Sequence, residues 1–294
     1  MEMQPLSALN KQSKSFNRLI RLLTWKFEPQ QLFCFAKISV YQESSSSFTA
    51  KRENVDCHYC LLMVTTSDVP TAHTVQKFIN ARFKTGGITV LCHSQKRVSN
   101  AIKAKDRFFV TIYGHAQLLY SCNELLQSEY IRNFSTLNAL TKAERKFSHY
   151  IALADAFFAG ATHCFKNGEH TVCAMMLHHT VEQCIMLLVS LNLSYRVESY
   201  SLYDLLRLCS SFSDQPQQLL LATTEDKRLF EILIKGRSGV NCGIPSPVGE
   251  NDAKQLLIRV STFIKLTRLM CKDKIERLKL ETLSYGQPNQ HDIN

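Results

Sequence analysis

The chain lacks the segments that mark membrane and secreted proteins. No apolar run reaches the roughly 18 residues that a membrane-spanning helix needs. The first residues, Met1 to Pro5, lack the basic-then-apolar layout of a signal peptide. No internal repeat is visible, which argues against a solenoid or a propeller. These absences predict a soluble protein of the cytoplasm with no membrane partner.

A disulfide framework is also absent. The eleven cysteines are an odd number and follow no regular spacing. Several of them, namely Cys34, Cys173, Cys184 and Cys209, lie inside apolar stretches. Such positions favour reduced core residues over cross-links.

A second, well-spaced pair of zinc ligands is missing too. Cys57-His58-Tyr59-Cys60 supplies one Cys-x-x-Cys, and Cys92-His93 follows on another predicted strand. One Cys-x-x-Cys alone is a weak zinc signal, and Cys60 also belongs to an apolar run. We therefore expect no bound metal and no cofactor.

Acidic residues are scarce in the first part of the chain. Residues 1–135 hold 17 Lys+Arg and 9 Asp+Glu, whereas residues 136–294 hold 18 and 16, within a net charge of +10. An excess of positive charge attracts a nucleic acid or an acidic protein. Because the charges are dispersed, with only short clusters such as Lys51-Arg52 and Lys96-Arg97, an ordinary solvated surface is the alternative.

Helical and strand patterns alternate up to about residue 122. Apolar stripes predict helices over residues 9–26, 71–83 and 98–105, and short apolar runs predict strands over residues 32–36, 60–64 and 88–92. The polar residues 43–47 indicate a loop, and residues 108–113 and 117–120 suggest a strand pair around Gly114. We predict a small α/β domain over residues 1–122.

The remainder is helical in pattern. We predict a linker over residues 123–140, an up-and-down bundle of about five helices over residues 141–282, and a disordered tail over residues 283–294. The predicted core includes a stripe on the second helix and another on the last. The first consists of Val172, Met175, Met176, His179, Glu182 and Met186, and the second of Leu256, Val260, Phe263, Ile264 and Met270.

Arg237 is the most informative residue of the bundle. It ends the stripe Phe230, Leu233, Ile234, Arg237, which places a guanidinium on the apolar face of a helix. A permanent charge there requires a carboxylate, a phosphate or a partner chain.

Two environments for Arg237 stay open. Glu182 or Asp155 can pair with it, and His179 with Glu182 can join it in a buried polar network or form a metal or catalytic site. Alternatively, Ser238 and Asn241 can complete a phosphate site with Arg237 in a groove at a dimer interface.

Residues 141–280 resemble the HEPN domain, a helical bundle of prokaryotic nucleases, toxins and nucleotide-binding proteins. The resemblance lies in the helix order, in Leu177-His178-His179-Thr180-Val181-Glu182, where relatives often have Leu-His-Gln-Ala-Ala-Glu, and in Phe230-Glu231-x-Leu233 leading to Arg237 and Asn241. It implies a dimer in which an arginine and a nearby histidine cleave RNA. Here Cys242, Gly243 and Ile244 fill the place of that histidine, so we expect weak cleavage or none.

The first part more distantly resembles a minimal nucleotidyltransferase. In that family a Gly-Ser turn after one strand cradles triphosphate, and two aspartates spaced one apart on the next strand hold Mg²⁺. This chain has Phe35-Ala36-Lys37 and His58-Tyr59-Cys60 at those places. The resemblance therefore implies a pseudoenzyme without either device.

These resemblances predict a protein that binds nucleotide or RNA, as a homodimer formed through the bundle, with Arg237, Ser238, Asn241, His179 and Glu182 at the ligand site. One alternative is a toxin-like HEPN ribonuclease that uses Arg237 with another proton carrier such as His179. Another alternative is a protein interaction module with no nucleic-acid ligand.

Overall fold

The computed structural model describes residues 6–46, 49–66, 72–122, 136–197, 201–238 and 247–285. Of residues 6–11, 40–46, 49–56, 136–138, 236–238 and 284–285 it describes the backbone alone. The chain divides into two compact units, Met1–Asn133 and Phe134–Asn294, called here the N-terminal and C-terminal units.

The N-terminal unit is a mixed α/β structure. In chain order its described elements are α1 (Leu6–Phe27), β1 (Gln31–Ser46), β2 (Thr49–Thr65), α2 (Ala72–Arg82), β3 (Gly87–Ser94), α3 (Gln95–Lys103), α4 (Arg107–His115) and β4 (Gln117–Ser121). The strands form one sheet in the order β3-β2-β1-β4. β2 and β3 run parallel, whereas β1 is antiparallel to both β2 and β4.

Helices cover both faces of this sheet. Because side chains alternate along a strand, Tyr59, Leu61 and Met63 share one face, where they join a core cluster with Leu19 and Leu23 of α1. On the opposite face, aromatic residues of α4 contact the sheet: Phe108 packs edge-on against Phe35, and Tyr113 packs against Phe33.

Residues 108–113 are helical, so the prediction of a strand there was wrong. Asp106 caps the N-terminus of α4, where its carboxylate accepts hydrogen bonds from the amides of Phe108 and Phe109. A cap of this kind satisfies amides that the first turn leaves unpaired. The apolar run therefore begins a helix, and only the predicted second half of the pair, β4, is a strand.

The polar segment 43–47 is not the predicted loop over the part that the structure describes. Glu43 pairs with Glu53 and Ser44 with Arg52, so β1 and β2 form a long hairpin. The segment contains no glycine or proline to break a strand, and backbone pairing does not depend on apolar side chains. Ser47 lies outside the described residues.

The C-terminal unit is helical, which confirms the predicted fold class of an α/β region followed by a helical region. Its described helices are α5 (Thr136–Lys166), α6 (His170–Asn192), α7 (Leu202–Cys209), α8 (Gln215–Leu221), α9 (Thr224–Ser238) and α10 (Glu250–Tyr285). The short α8 has no counterpart in the sequence analysis. α5 begins within the predicted linker, and α10 ends within the predicted tail, of which residues 286–294 lie outside the described part.

The core face of α10 is as predicted. Leu256, Val260, Phe263 and Ile264 are all buried. Met270 is only half-buried, whereas Thr267, which interrupts the stripe, is fully buried.

The core face of α6 differs from the prediction. The predicted stripe lies at the edge of the core, with Val172 exposed and Met175, Met176, His179, Glu182 and Met186 half-buried. The fully buried side chains include Cys173, Leu177, Val181, Cys184 and Leu188. α6 packs against α5, α7, α9 and α10, so more than one of its faces is buried. A prediction based on a single apolar stripe therefore assigns its core face wrongly.

α6 is also long and apolar enough to cross a bilayer, with a mean hydropathy of 1.5 over 18 residues. This finding differs from the expectation that no segment qualifies. However, 61% of that window is buried inside the protein, as in the central helix of any bundle. The length and composition of α6 are therefore weak support for a membrane span.

Candidate functional site

The two segments for which the nucleotidyltransferase resemblance implies catalytic residues lie opposite each other in the sheet. Ala36 of β1 pairs with Cys60 of β2, and Lys37 pairs with Tyr59. Phe35 is the extra residue of a β-bulge on β1. β1 therefore continues as a strand at the place where that family has a phosphate-binding turn.

Tyr59 closes this region from the side of α1. Its ring stacks on Phe16 with the centroids 4.0 Å apart, and only 4% of the residue is exposed. Burial raises the pKa of the Tyr59 phenol to about 12. Lys37 lies above the same ring, with its Nζ 5.9 Å from the centroid. The α1 side of this region is thus an aromatic cluster.

His58 and Cys60 stand where the nucleotidyltransferase resemblance would place the two aspartates. Cys60 is fully buried, and burial raises the pKa of its thiol above the usual range. The Nε2 of His58 lies 3.2 Å from Oγ1 of Thr89, and a Cβ at Gly87 would collide with Nδ1 of His58. Neither residue supplies a carboxylate oxygen, the ligand that Mg²⁺ prefers.

The cysteines considered for zinc do not converge. Cys57 and Cys60 are three residues apart on β2 and therefore point to opposite faces of the sheet. The Sγ of Cys57 donates to Oε1 of Gln12 at 3.0 Å. Cys92 pairs with Met63, six positions along β2 from Cys57, or about 20 Å at the usual rise. Among the described residues, no group of three or more His, Cys, Asp or Glu side chains could hold a metal ion.

In the C-terminal unit, the two adjacent histidines of α6 differ in environment. His178 is 2% exposed, and its Nδ1 donates to the carbonyl oxygen of Leu233 in α9 at 3.0 Å. His179 lies at the edge of the core, with Nδ1 3.3 Å from Oε2 of Glu182 and its ring stacked on Phe157. Side-chain exposures of 33% for His179 and 21% for Glu182 keep this pair accessible to a ligand.

Arg237 and Ser238 lie in the last turn of α9, where the structure describes the backbone alone, and Asn241 lies outside the described residues. Leu233, whose carbonyl contacts His178, precedes Arg237 by about one turn. The backbone of Arg237 is therefore close to the point where α6 meets α9.

Asp155, one of the two carboxylates considered for Arg237, has another partner. Its Oδ2 lies 2.5 Å from Nη2 of Arg268 on α10, and both side chains are exposed. This ion pair joins α5 to α10. Glu182, the other candidate, lies 3.3 Å from Nδ1 of His179.

A charged network fixes the start of α9 to α10. Asp226 is buried, accepts a hydrogen bond from the amide of Thr223 and forms an ion pair with Arg259. Arg228 bridges Glu225 and Asp252, and these hydrogen bonds lower the pKa of both carboxyl groups. The network attaches the first turn of α9 to α10, whereas Arg237 lies in the last turn of α9.

Two further features are visible in the sequence but were not predicted from it. The capping pair Thr223 and Asp226 was visible as a Thr-x-x-Asp spacing before an apolar run. The polar face of α1 was visible as the spacing of Lys14, Arg18 and Arg21, at i, i+4 and i+7.

No model of a known protein family matches the chain, and no curated protein matches it. Among solved structures, the chain is similar to a nucleotidyltransferase-like protein from Exiguobacterium sibiricum 255-15. The two share 15% sequence identity, over 90% of this chain and 80% of that chain, with a TM-score of 0.30. A likeness at this level carries no argument about fold or activity.

The Arg259 ion pair offers a stability test with a matched control. Arg259→Ala leaves the Asp226 carboxylate buried without its cation, which we expect to cost about 3 kcal/mol. Arg268→Ala removes an equally exposed arginine of the same helix, but its partner Asp155 is exposed, so the expected loss is below about 1 kcal/mol. Urea unfolding of both variants measures the difference; equal losses would contradict the role of the buried carboxylate.

Proposed function

We propose that this protein binds RNA or a nucleotide and neither transfers nor cuts it. The pairing of Ala36 with Cys60 and of Lys37 with Tyr59 carries this proposal, because ordinary strand residues stand where nucleotidyl transfer needs a turn and two carboxylates. The N-terminal unit would then be a pseudoenzyme that has kept a basic surface.

Charge supports a polyanionic ligand for the N-terminal unit. α1, α2 and α3 contain five, two and three Lys or Arg residues and not one Asp or Glu. A surface of this kind draws nucleic acid towards the protein and makes binding dependent on salt.

For the C-terminal unit we propose a HEPN-type bundle with a phosphate-binding site on α6 and α9. Arg237, Ser238 and Asn241 would contact the phosphate, and His179 and Glu182 would border it. The half-exposed pair of His179 with Glu182 and the contact of His178 with α9 support this location. An arginine beside backbone and amide donors suits an anion.

We also propose that the bundle forms a homodimer through α10. Ile258, Leu269, Leu280 and Leu283 are 59% to 70% exposed, and their spacing places them on one face of this helix. Light scattering at micromolar concentration should give the mass of a dimer, and Leu269→Lys should lower it towards that of a monomer. A wild-type monomer would contradict the proposal.

Binding without turnover is the direct test of the proposed function. We expect the purified protein to retain labelled RNA on a filter, less so as salt rises, and to leave the RNA uncut. With labelled nucleotide triphosphate and Mg²⁺ we expect no transfer to any acceptor. Transfer that EDTA abolishes would overturn the pseudoenzyme proposal, and failure to bind either RNA or nucleotide would favour a protein interaction module.

Arg237→Ala tests the proposed phosphate site. We expect nearly unchanged folding, weaker binding of RNA or nucleotide, and a shallower dependence of affinity on salt. Lys235→Ala, an exposed cation two residues earlier on α9, is the control and should change affinity little. A loss of about 3–5 kcal/mol in stability with unchanged affinity of the folded fraction would instead assign Arg237 to a structural ion pair.

The second candidate is a ribonuclease that uses Arg237 with His179. The contact of Nδ1 of His179 with Glu182 favours it, because a carboxylate orients an imidazole for proton transfer. Cleavage of RNA in the presence of EDTA, lost in His179→Ala, would support this candidate and contradict binding without turnover.

A further inference from the structure

One face of α1 carries a stripe of cations that ends at a tryptophan. Lys14, Arg18, Arg21 and Trp25 follow the spacing i, i+4, i+7 and i+11 and are all exposed; these four residues are called the α1 stripe. Trp25 is 79% exposed and is the single tryptophan of the chain. A tryptophan is rarely so exposed, since its ring is among the largest apolar surfaces.

The α1 stripe points away from the sheet of the N-terminal unit. Phe16, Leu19 and Leu23 of the same helix are buried against the sheet, and their positions lie about half a turn around the helix from the stripe. The apolar face of α1 is therefore already occupied. Trp25 has no role in that core.

The charges of the stripe repel one another. Lys14 and Arg18 are four residues apart, and Arg18 and Arg21 are three apart, spacings at which like charges destabilise a helix. None of these three side chains has a carboxylate partner among the residues that the structure describes. An anion from outside the chain would relieve this repulsion.

A second group of cations lies where α1 meets α2. The Nζ of Lys26 lies 4.4 Å from the ring centroid of Phe78, and the Cζ of Arg82 lies 5.4 Å from the same centroid. Phe78 is half-buried, and both cations are exposed. The surface thus interleaves cations with aromatic rings on two neighbouring helices.

We propose that the α1 stripe binds single-stranded RNA, with an unpaired base stacked on Trp25 and backbone phosphates held by Arg18 and Arg21. The helical rise places Arg21 about 6 Å and Arg18 about 10 Å from Trp25 along the axis, which is one and two turns away. Aromatic stacking and neighbouring cations are the two elements with which proteins hold single strands. This inference rests on the proposed function. It adds that the RNA is single-stranded and that α1 is its binding surface on the N-terminal unit.

The chemistry of the stripe separates this ligand from three others. An interfacial membrane helix needs a free apolar face, but that of α1 is buried on the sheet. A duplex offers phosphates but no unpaired base for Trp25. An acidic protein would satisfy the cations without requiring the exposed ring.

The single tryptophan makes the test direct. We titrate the full chain with a 12-nucleotide oligouridylate and follow the fluorescence of Trp25, which should be quenched as the base stacks. Filter retention of the labelled oligouridylate does not need the tryptophan; in this assay Trp25→Ala should weaken binding about five- to hundredfold, and Trp25→Phe should retain most of the affinity. Arg18→Ala and Arg21→Ala should each reduce the slope of log affinity against log salt by about 0.7.

Arg277→Ala, an exposed arginine of α10, is the matched control and should leave affinity and slope unchanged. If Trp25→Ala and Arg18→Ala both bind RNA with the affinity of the wild type, the α1 stripe is not the binding surface, but the proposed function stands. Failure of the wild type to bind any RNA overturns both. Equal affinity and quenching with a duplex or with an abasic oligonucleotide would overturn base stacking. A fluorescence change with phosphatidylserine vesicles but not with oligouridylate would assign the surface to membranes.

Discussion

α1 packs against β2, with the ring of Phe16 stacked on that of Tyr59 at 4.0 Å. Both the covering of the sheet and the orientation of the α1 stripe depend on this contact. It seals one side of the sheet beside the two paired segments that would carry catalysis in a nucleotidyltransferase. It also fixes the rotation of α1 about its axis, so that the α1 stripe faces away from the sheet. The same helix thereby covers one face of the sheet and presents the α1 stripe on its other side.

The C-terminal unit depends on a different kind of constraint. α6 is buried on more than one face, and α9 is attached to α10 through the buried carboxylate of Asp226 and its ion pair with Arg259. An uncompensated carboxylate in such a place is costly, so the position of α9 is firmly set. Leu233, one turn before Arg237, contacts His178 of α6, and the neighbouring His179 and Glu182 of α6 are half-exposed.

Periodicity predicted the fold class because amphipathic helices and apolar strands repeat over many residues. It was wrong for residues 108–113, where a single cap at Asp106 turned an apolar run into a helix, and for residues 43–46, where polar strands pair. It misplaced the inward face of α6 because burial on more than one side leaves no single stripe. Ion pairs such as that of Arg259 with Asp226 join segments that are distant in sequence, so no local sequence pattern predicts them.

Photochemical cross-linking of bound single-stranded RNA, followed by tryptic digestion and mass spectrometry, tests the central claim most directly. Cleavage after Arg21 and Lys26 releases residues 22–26, the peptide that contains Trp25. The account predicts a nucleotide adduct on this peptide. Saturable RNA binding with adducts confined to the C-terminal unit would contradict the assignment of the ligand to the outer face of α1.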